Sequence, residues 1–351
     1  MEKYKDEESL IYETINLLRF PMVVLVVFIH TCIFTLDECS FVLYHLIRSV
    51  ISNLMNVAVP VFFVISGFLF YRKLEIWNWG GYVCKLKRRI HSLLIPYVLW
   101  NTFYIMFALL GTIFAVLIKG VSFSVLTDWY HSEGFYALYW GGPYLYPFWY
   151  IRDLIALVVI SPIIYGCVNY TSHYFIVILV VLCFFFDMLP SSVFFFSLGA
   201  YFCLAERYRF LTYRWIRYFA IVCYMLLLLI PALIPASFFL QITENMQIIN
   251  KLVVLVGVIA IFCIGYESLE MRWVRPCKLL AESSFFIFAF HAFLITDSLR
   301  LLVNYIGVDS QVKLILNYLL LPFLLVCVCV LTYIILKRIM PKTMAIMTGG
   351  R

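Results

Sequence analysis

Residues 314–336 read LILNYLLLPFLLVCVCVLTYIIL, an uncharged run of 23 residues flanked by Lys313 on one side and by Lys337 and Arg338 on the other. A helix rises about 1.5 Å per residue, so roughly 20 apolar residues cross the hydrocarbon core of a bilayer. This run is long enough to cross, and a helix satisfies its own backbone groups, as hydrocarbon demands.

Working outward from it, nine more apolar runs precede it, at 15–35, 51–71, 93–118, 148–167, 174–189, 191–205, 218–236, 249–266 and 281–303. With 65% of its 351 residues hydrophobic and only 13% charged, the chain has too little polar surface to enclose a water-soluble globule. Barrel strands alternate over segments of about ten residues, and these runs do not. The fold expected is therefore all-α: a polytopic membrane helix bundle of about ten transmembrane helices, with the lipid bilayer as its solvent. The runs at 174–189 and 191–205 are short and meet at Pro190, which suits a tight hairpin or a re-entrant pair.

Orientation follows from the connecting segments, because cytoplasmic loops hold the excess of Lys and Arg. Arg72, Lys73, Lys85, Lys87, Arg88 and Arg89 follow the second run, and Arg207, Arg209, Arg214 and Arg217 follow the sixth. Arg272, Arg275 and Lys278 follow the eighth, and Lys337, Arg338, Lys342 and Arg351 the tenth. All fall on one side, so both termini are expected in the cytoplasm, and the net charge of +7 needs no nucleic-acid partner to explain it. The 11 cysteines form no CxxC pair or zinc-ligand spacing, which points away from a metal site. The polar start MEKYKDEESLIYET is unlike a cleavable signal peptide.

Basic side chains within a span are costly, and the first run holds two, Arg19 and His30. Eleven residues at about 100° each end roughly 20° past three full turns, so the two share a stripe about 16.5 Å long. A neutral imidazole inside a bundle can take a proton from a hydroxyl, and an arginine at the inner mouth can hold a phosphate. Alternatively, Arg19 snorkels to the interface and His30 bonds a neighbouring helix. His291 is a second intramembrane imidazole, suited to a structural hydrogen bond. Arg152 and Asp153 suit a structural ion pair at the outer interface. Glu282, Asp187 and Asp297 lie near span ends, and His45, His131 and His173 in or near loops. The aromatic, glycine-containing segment 119–147 suits either a lid over a substrate or an interfacial aromatic belt.

Six blocks occur in order along the chain: Arg19 with ten residues before His30; VPVFFVISGFLFYRK at 59–73; RRIHSLLIPYVLW at 88–100; FWYIRDLIALVVISPIIY at 148–165; FFFSLGAYF at 194–202; and SSFFIFAFH at 283–291. Together they resemble the acyltransferase 3 family of membrane O-acyltransferases. The resemblance implies a multi-pass enzyme of the bacterial inner (plasma) membrane that takes acetyl from cytoplasmic acetyl-CoA, without a metal. Its acceptor would be a hydroxyl of a carbohydrate, such as a cell-envelope polysaccharide or lipid-linked glycan. It also implies one acyltransferase-3-like domain over residues 1–351, with no appended soluble domain. By the same resemblance His30 is the essential histidine and catalytic base, and Arg19 its partner. Ser66 and Gly67 match the family's SGF turn and Arg89 its basic motif. Arg19, Arg89, Arg88 and Lys85 would then grip the coenzyme phosphates, with Ser66, His291, Arg152 and Asp153 in support. At the second basic position of that motif this chain has His91 and Ser92 where Arg or Lys is usual. Ten spans with buried charges also suit a transporter or flippase for a glycan or anionic metabolite; the absent internal repeat and the order of the blocks speak against it.

Overall fold

The computed structural model describes residues 2–31, 50–72, 77–120, 122, 124, 134, 136–233, 243–295 and 311–350. Asp297, His45, His131 and most of the aromatic outer segment lie outside them. Among the described residues the chain is helical throughout, without a strand. Its helices are α1 (Glu2–Thr31), α2 (Ala58–Tyr71), α3 (Trp79–Arg89), α4 (Ile95–Lys119), α5 (Trp149–Val159), α6 (Ser161–Thr171), α7 (His173–Val180), α8 (Ser191–Leu204), α9 (Arg214–Leu233), α10 (Thr243–Glu270), α11 (Lys278–Ile295), α12 (Gln311–Ile339) and α13 (Pro341–Met347).

Five helical segments among them are long and apolar enough to cross a membrane: Glu8–Thr31, Val50–Tyr71, Trp79–Ile118, Ile249–Glu270 and Ile315–Ile339. A sixth span results if α5 and α6, bent by 64°, are taken together. The single run read at 148–167 is thus broken. Pro162 opens α6, where its missing N–H costs least, and Ser161 turns its hydroxyl back onto the Val158 carbonyl at 2.8 Å. The runs at 174–189 and 191–205 form shorter helices, His173–Phe185 and Ser191–Leu204. Those at 218–236 and 281–303 run past the described residues.

α1 is the central post, contacting α2, α10, α11 and α12. Met22, Val23, Val26 and Val27 along it are fully buried. The closest crossing joins α2 to α8, through two glycines. A Cβ at Gly67 would strike the carbonyl oxygen of Phe196, and one at Gly199 that of Val64. Lacking side chains at these positions, the two helices meet backbone to backbone and gain dispersion contacts, the favourable term left to helices in lipid. Around this core α4 turns Phe103, Met106, Phe107, Leu110 and Phe114 outward, as a lipid-facing helix does.

The basic stretch before the run at 93–118 is helical from Trp79 onward. Asn78 caps α3 by accepting from Gly81 N, and a π-helical turn, Ile90–Leu94, passes the chain into α4 ahead of Pro96. Arg217, counted among the cytoplasmic charges, also differs from its reading: its side chain is 0% exposed. It donates to Glu267 at 2.6 Å and to the Leu211 carbonyl, also pairs with Glu270, and lies over the Tyr266 ring. Tyr218 completes the cluster by donating to the second Glu267 oxygen at 2.9 Å. A buried guanidinium must be paired, and α10 supplies its carboxylates.

Candidate active site

Three cavities lie in series beside α1. The first, about 350 Å³, is lined by Tyr12, Arg72, Lys85, Arg88 and Arg89. It shares Leu69, Arg89 and Ser92 with a second of about 280 Å³, which also holds Arg19, Ser66 and Tyr150. The second shares Tyr150 and Phe288 with a third of about 400 Å³, where His30 lies. The stripe from Arg19 to His30 thus borders two consecutive cavities, with basic residues gathered at the far end from the histidine.

The first cavity is a cationic mouth. Arg88 and Arg89 come to it from the last turn of α3. Arg72 follows α2, donating from Nε to Tyr12 at 2.9 Å and pairing with Glu8. Partial burial works against its charge, but the bonds to Glu8 and Tyr12 outweigh this and hold the guanidinium above its ordinary value. Lys85 is partly committed elsewhere. Its ammonium donates to the carbonyls of Phe70 at 2.5 Å and Arg72 at 3.0 Å, closing the end of α2 whose carbonyls lack helical partners. His91 is exposed on the π-helical turn, while Ser92 lines both the first and second cavities.

In the second cavity Arg19 and Arg89 are brought together, and neither has a carboxylate partner among the described residues. Two guanidiniums facing one cavity form a site for an anion. Ser66 and Tyr150 bring their hydroxyls within 3.3 Å of each other in its wall. Tyr150 packs on Phe63, with ring centroids 4.8 Å apart, and on Phe288 at 5.7 Å, so it stands at the partition before the third cavity. Gly349, in the left-handed region at φ 70°, presses its backbone against Ser92 and closes part of the second cavity from the chain's C-terminal segment.

The third cavity is lined by His30, and His291 lies behind that histidine without lining the cavity itself. His30 on α1 and His291 on α11 have ring centroids 5.3 Å apart. His291 is fully buried, its Nδ1 is 3.0 Å from the Ile287 carbonyl, and its Nε2 has no partner among the described residues. With Nδ1–H donating to that carbonyl, the Nε2 lone pair is left as an acceptor beside His30. Tyr146 stands edge-on to His30, at 5.9 Å between centroids.

Arg152 and Asp153 stay outside these cavities and act as a brace. They pair with each other at 2.8 Å. Arg152 also donates to the Trp140 and Gly141 carbonyls, and Asp153 accepts from Ser192, tying the aromatic segment to α5 and α8. Tyr150, Arg72 and Gly349 are among the lining residues to which sequence reasoning gave no role in the site. Only Tyr150 carried a signal, a hydroxyl in the apolar FWYIRD stretch beside the charged pair.

No metal-binding cluster of His, Cys, Asp and Glu occurs among the described residues. Neither the curated proteins nor the solved structures contain a match to this chain. The family model for the acyltransferase domain matches residues 12–336, nearly the whole length, and so takes in every cavity-lining residue named above except Gly349. The apolar helices and the family together make this a multi-pass membrane protein with acyltransferase character, and the chain belongs to the acyltransferase 3 family.

Proposed function

We propose that the protein transfers acetyl from cytoplasmic acetyl-CoA to a hydroxyl of a cell-envelope carbohydrate, in the inner membrane of a bacterium. The observation carrying this reading is the series of cavities, cationic at one end and ending at a histidine. Ten spans with both termini inside would put the cationic mouth on the coenzyme's side. Arg88, Arg89, Arg19 and Arg72 would hold the phosphates, with the third Lys85 proton in support, and the thin pantetheine arm would thread the second cavity.

The chemistry follows from the groups at the partition. His30 accepts the proton of the sugar hydroxyl as its oxygen attacks the thioester carbonyl. The Ser66 and Tyr150 hydroxyls would donate to the oxyanion that develops. The carbon–sulfur bond then breaks, and the coenzyme leaves as a thiolate that takes up the proton. A small rotation of the His30 ring would let one nitrogen donate to His291 Nε2, leaving the other as the base.

The test compares cell-envelope glycans by mass spectrometry from cells carrying wild type, His30→Ala or no gene. An acetyl increment should appear with wild type alone, while the variant protein accumulates in the membrane. An undiminished increment with His30→Ala would remove the histidine from the reaction. Transport of glycan without any acyl product would favour a flippase instead.

A further inference from the structure

The cavity around His30 has a composition that says more about the acceptor. Its described lining includes Tyr146, Trp149, Tyr150 and Phe63, the amides of Asn56 and Asn250, and the hydroxyl of Ser191. Flat aromatic faces beside amides and hydroxyls suit a sugar ring, with its apolar C–H faces and its rim of hydroxyls. Among the described residues the lining has no carboxylate, and its one lysine or arginine is Lys251.

Lys251 reaches this wall from α10, donating to the Phe184 carbonyl at 3.3 Å and to Asp187 at 2.5 Å. Its side chain is 27% exposed and that of Asp187 68%. Asp187 itself does not line the cavity. An ion pair so open to solvent contributes little, so an incoming anion can exchange with the aspartate at small cost. The ammonium is itself the less exposed partner, so a negative group held against it inside the cavity gains more than the exposed aspartate does.

Resting on the acyltransferase reading, we infer that the acceptor is an acidic sugar, whose carboxylate or phosphate is held by Lys251 while a nearby hydroxyl is presented to His30. Asp187 holds the ammonium in place between substrates, and the aromatic walls select the ring.

The experiment measures binding of sodium glucuronate, glucose 6-phosphate and glucose to the purified protein, with acetyl transfer to each followed in parallel. The acidic sugars should bind about tenfold or more tightly than glucose, as a charge-assisted contact provides. Lys251→Gln should erase that preference, and Asp187→Asn should strengthen it by releasing the ammonium. Equal binding of the three sugars, or a preference that survives Lys251→Gln, overturns the inference. Acetyl transfer without preference for acidic sugars does so too, and leaves the acyltransferase reading standing. Lys251-dependent binding of acidic sugars with no acetyl transfer to any of them keeps the anion site but overturns the acyltransferase reading, and with it the sugar's role as acceptor. A final arm uses nanodiscs with and without phosphatidylglycerol: if that lipid competes with glucuronate for Lys251, the ammonium serves a lipid headgroup and the inference fails.

Discussion

Replacing Gly199 by alanine would put a methyl group where α2 and α8 now touch. The added carbon would overlap the Val64 carbonyl oxygen and lie 2.8 Å from Phe68 N. Carbon and nitrogen ordinarily rest at about 3.5–4.0 Å, so the helices would have to part by roughly 1 Å. The neighbours are backbone atoms, unable to swing aside as a flexible side chain does, which places the cost in the upper part of the usual overpacking range of about 1–3 kcal/mol. Gly67→Ala makes the same demand from the other helix, against the Phe196 carbonyl. Once one methyl has separated the pair, the second meets less resistance. The double variant should therefore cost about 1 kcal/mol less than the sum of the singles, a coupling expected of groups in contact. Ser66 adjoins Gly67, and its hydroxyl bond to Tyr150, at 3.3 Å, is already long, so acyl transfer should fall with stability. The assay is reversible unfolding in detergent of wild type, both singles and the double. Strict additivity, or alanine variants as stable as wild type, would refute a backbone-to-backbone crossing.

Removing one partner of the buried cluster should be severe: Arg217→Met leaves Glu267 buried and unpaired, at a cost of about 3–5 kcal/mol in the same unfolding assay. Adding Glu267→Met should recover much of that loss, since Glu270 still reaches water. Arg89→Ala should weaken acetyl-CoA binding by roughly ten- to hundredfold, read by calorimetry, as expected for losing a charge-assisted contact. Lys85→Ala should instead lower the unfolding midpoint more than it weakens the coenzyme, because two of the ammonium's bonds close α2; the opposite ranking would return Lys85 to the phosphate grip. Gly349→Val, strained by a left-handed backbone and pressed onto Ser92, should destabilise by about 1–3 kcal/mol and raise the KM for acetyl-CoA above wild type. An unchanged KM would detach the C-terminal segment from the donor cavity.

Much of this was legible along the chain because helical periodicity is a local property. The angle between Arg19 and His30 needs only the pitch of one helix, and both residues do border the cavity series. The uncharged runs likewise announced most of the long helices. What stayed hidden depends on pairs remote in sequence. Arg217 sits in a basic segment that resembles any cytoplasmic loop, and only the approach of α10 turns it inward. Lys85 looked like one more cation, yet the exposed end of α2 claims its ammonium. His291 and His30 approach each other because α11 packs on α1, and no spacing in the sequence encodes that. The break after Val159 escaped the reading of one run at 148–167, because whether Pro162 kinks a span or divides it depends on what its neighbours pack against.

The cluster at Arg217 also bears on how the molecule is built. The guanidinium and Glu267 are 50 residues apart, so during synthesis α9 leaves the ribosome well before its counter-charges exist. Until α10 follows, the arginine has only water or lipid headgroups to satisfy it. Burial of the guanidinium between the two helices is therefore a joint event. A chain severed between them would leave one fragment with an unmatched cation and the other with unmatched carboxylates. One cluster of charges thus binds together two stretches of the chain that lie far apart in sequence.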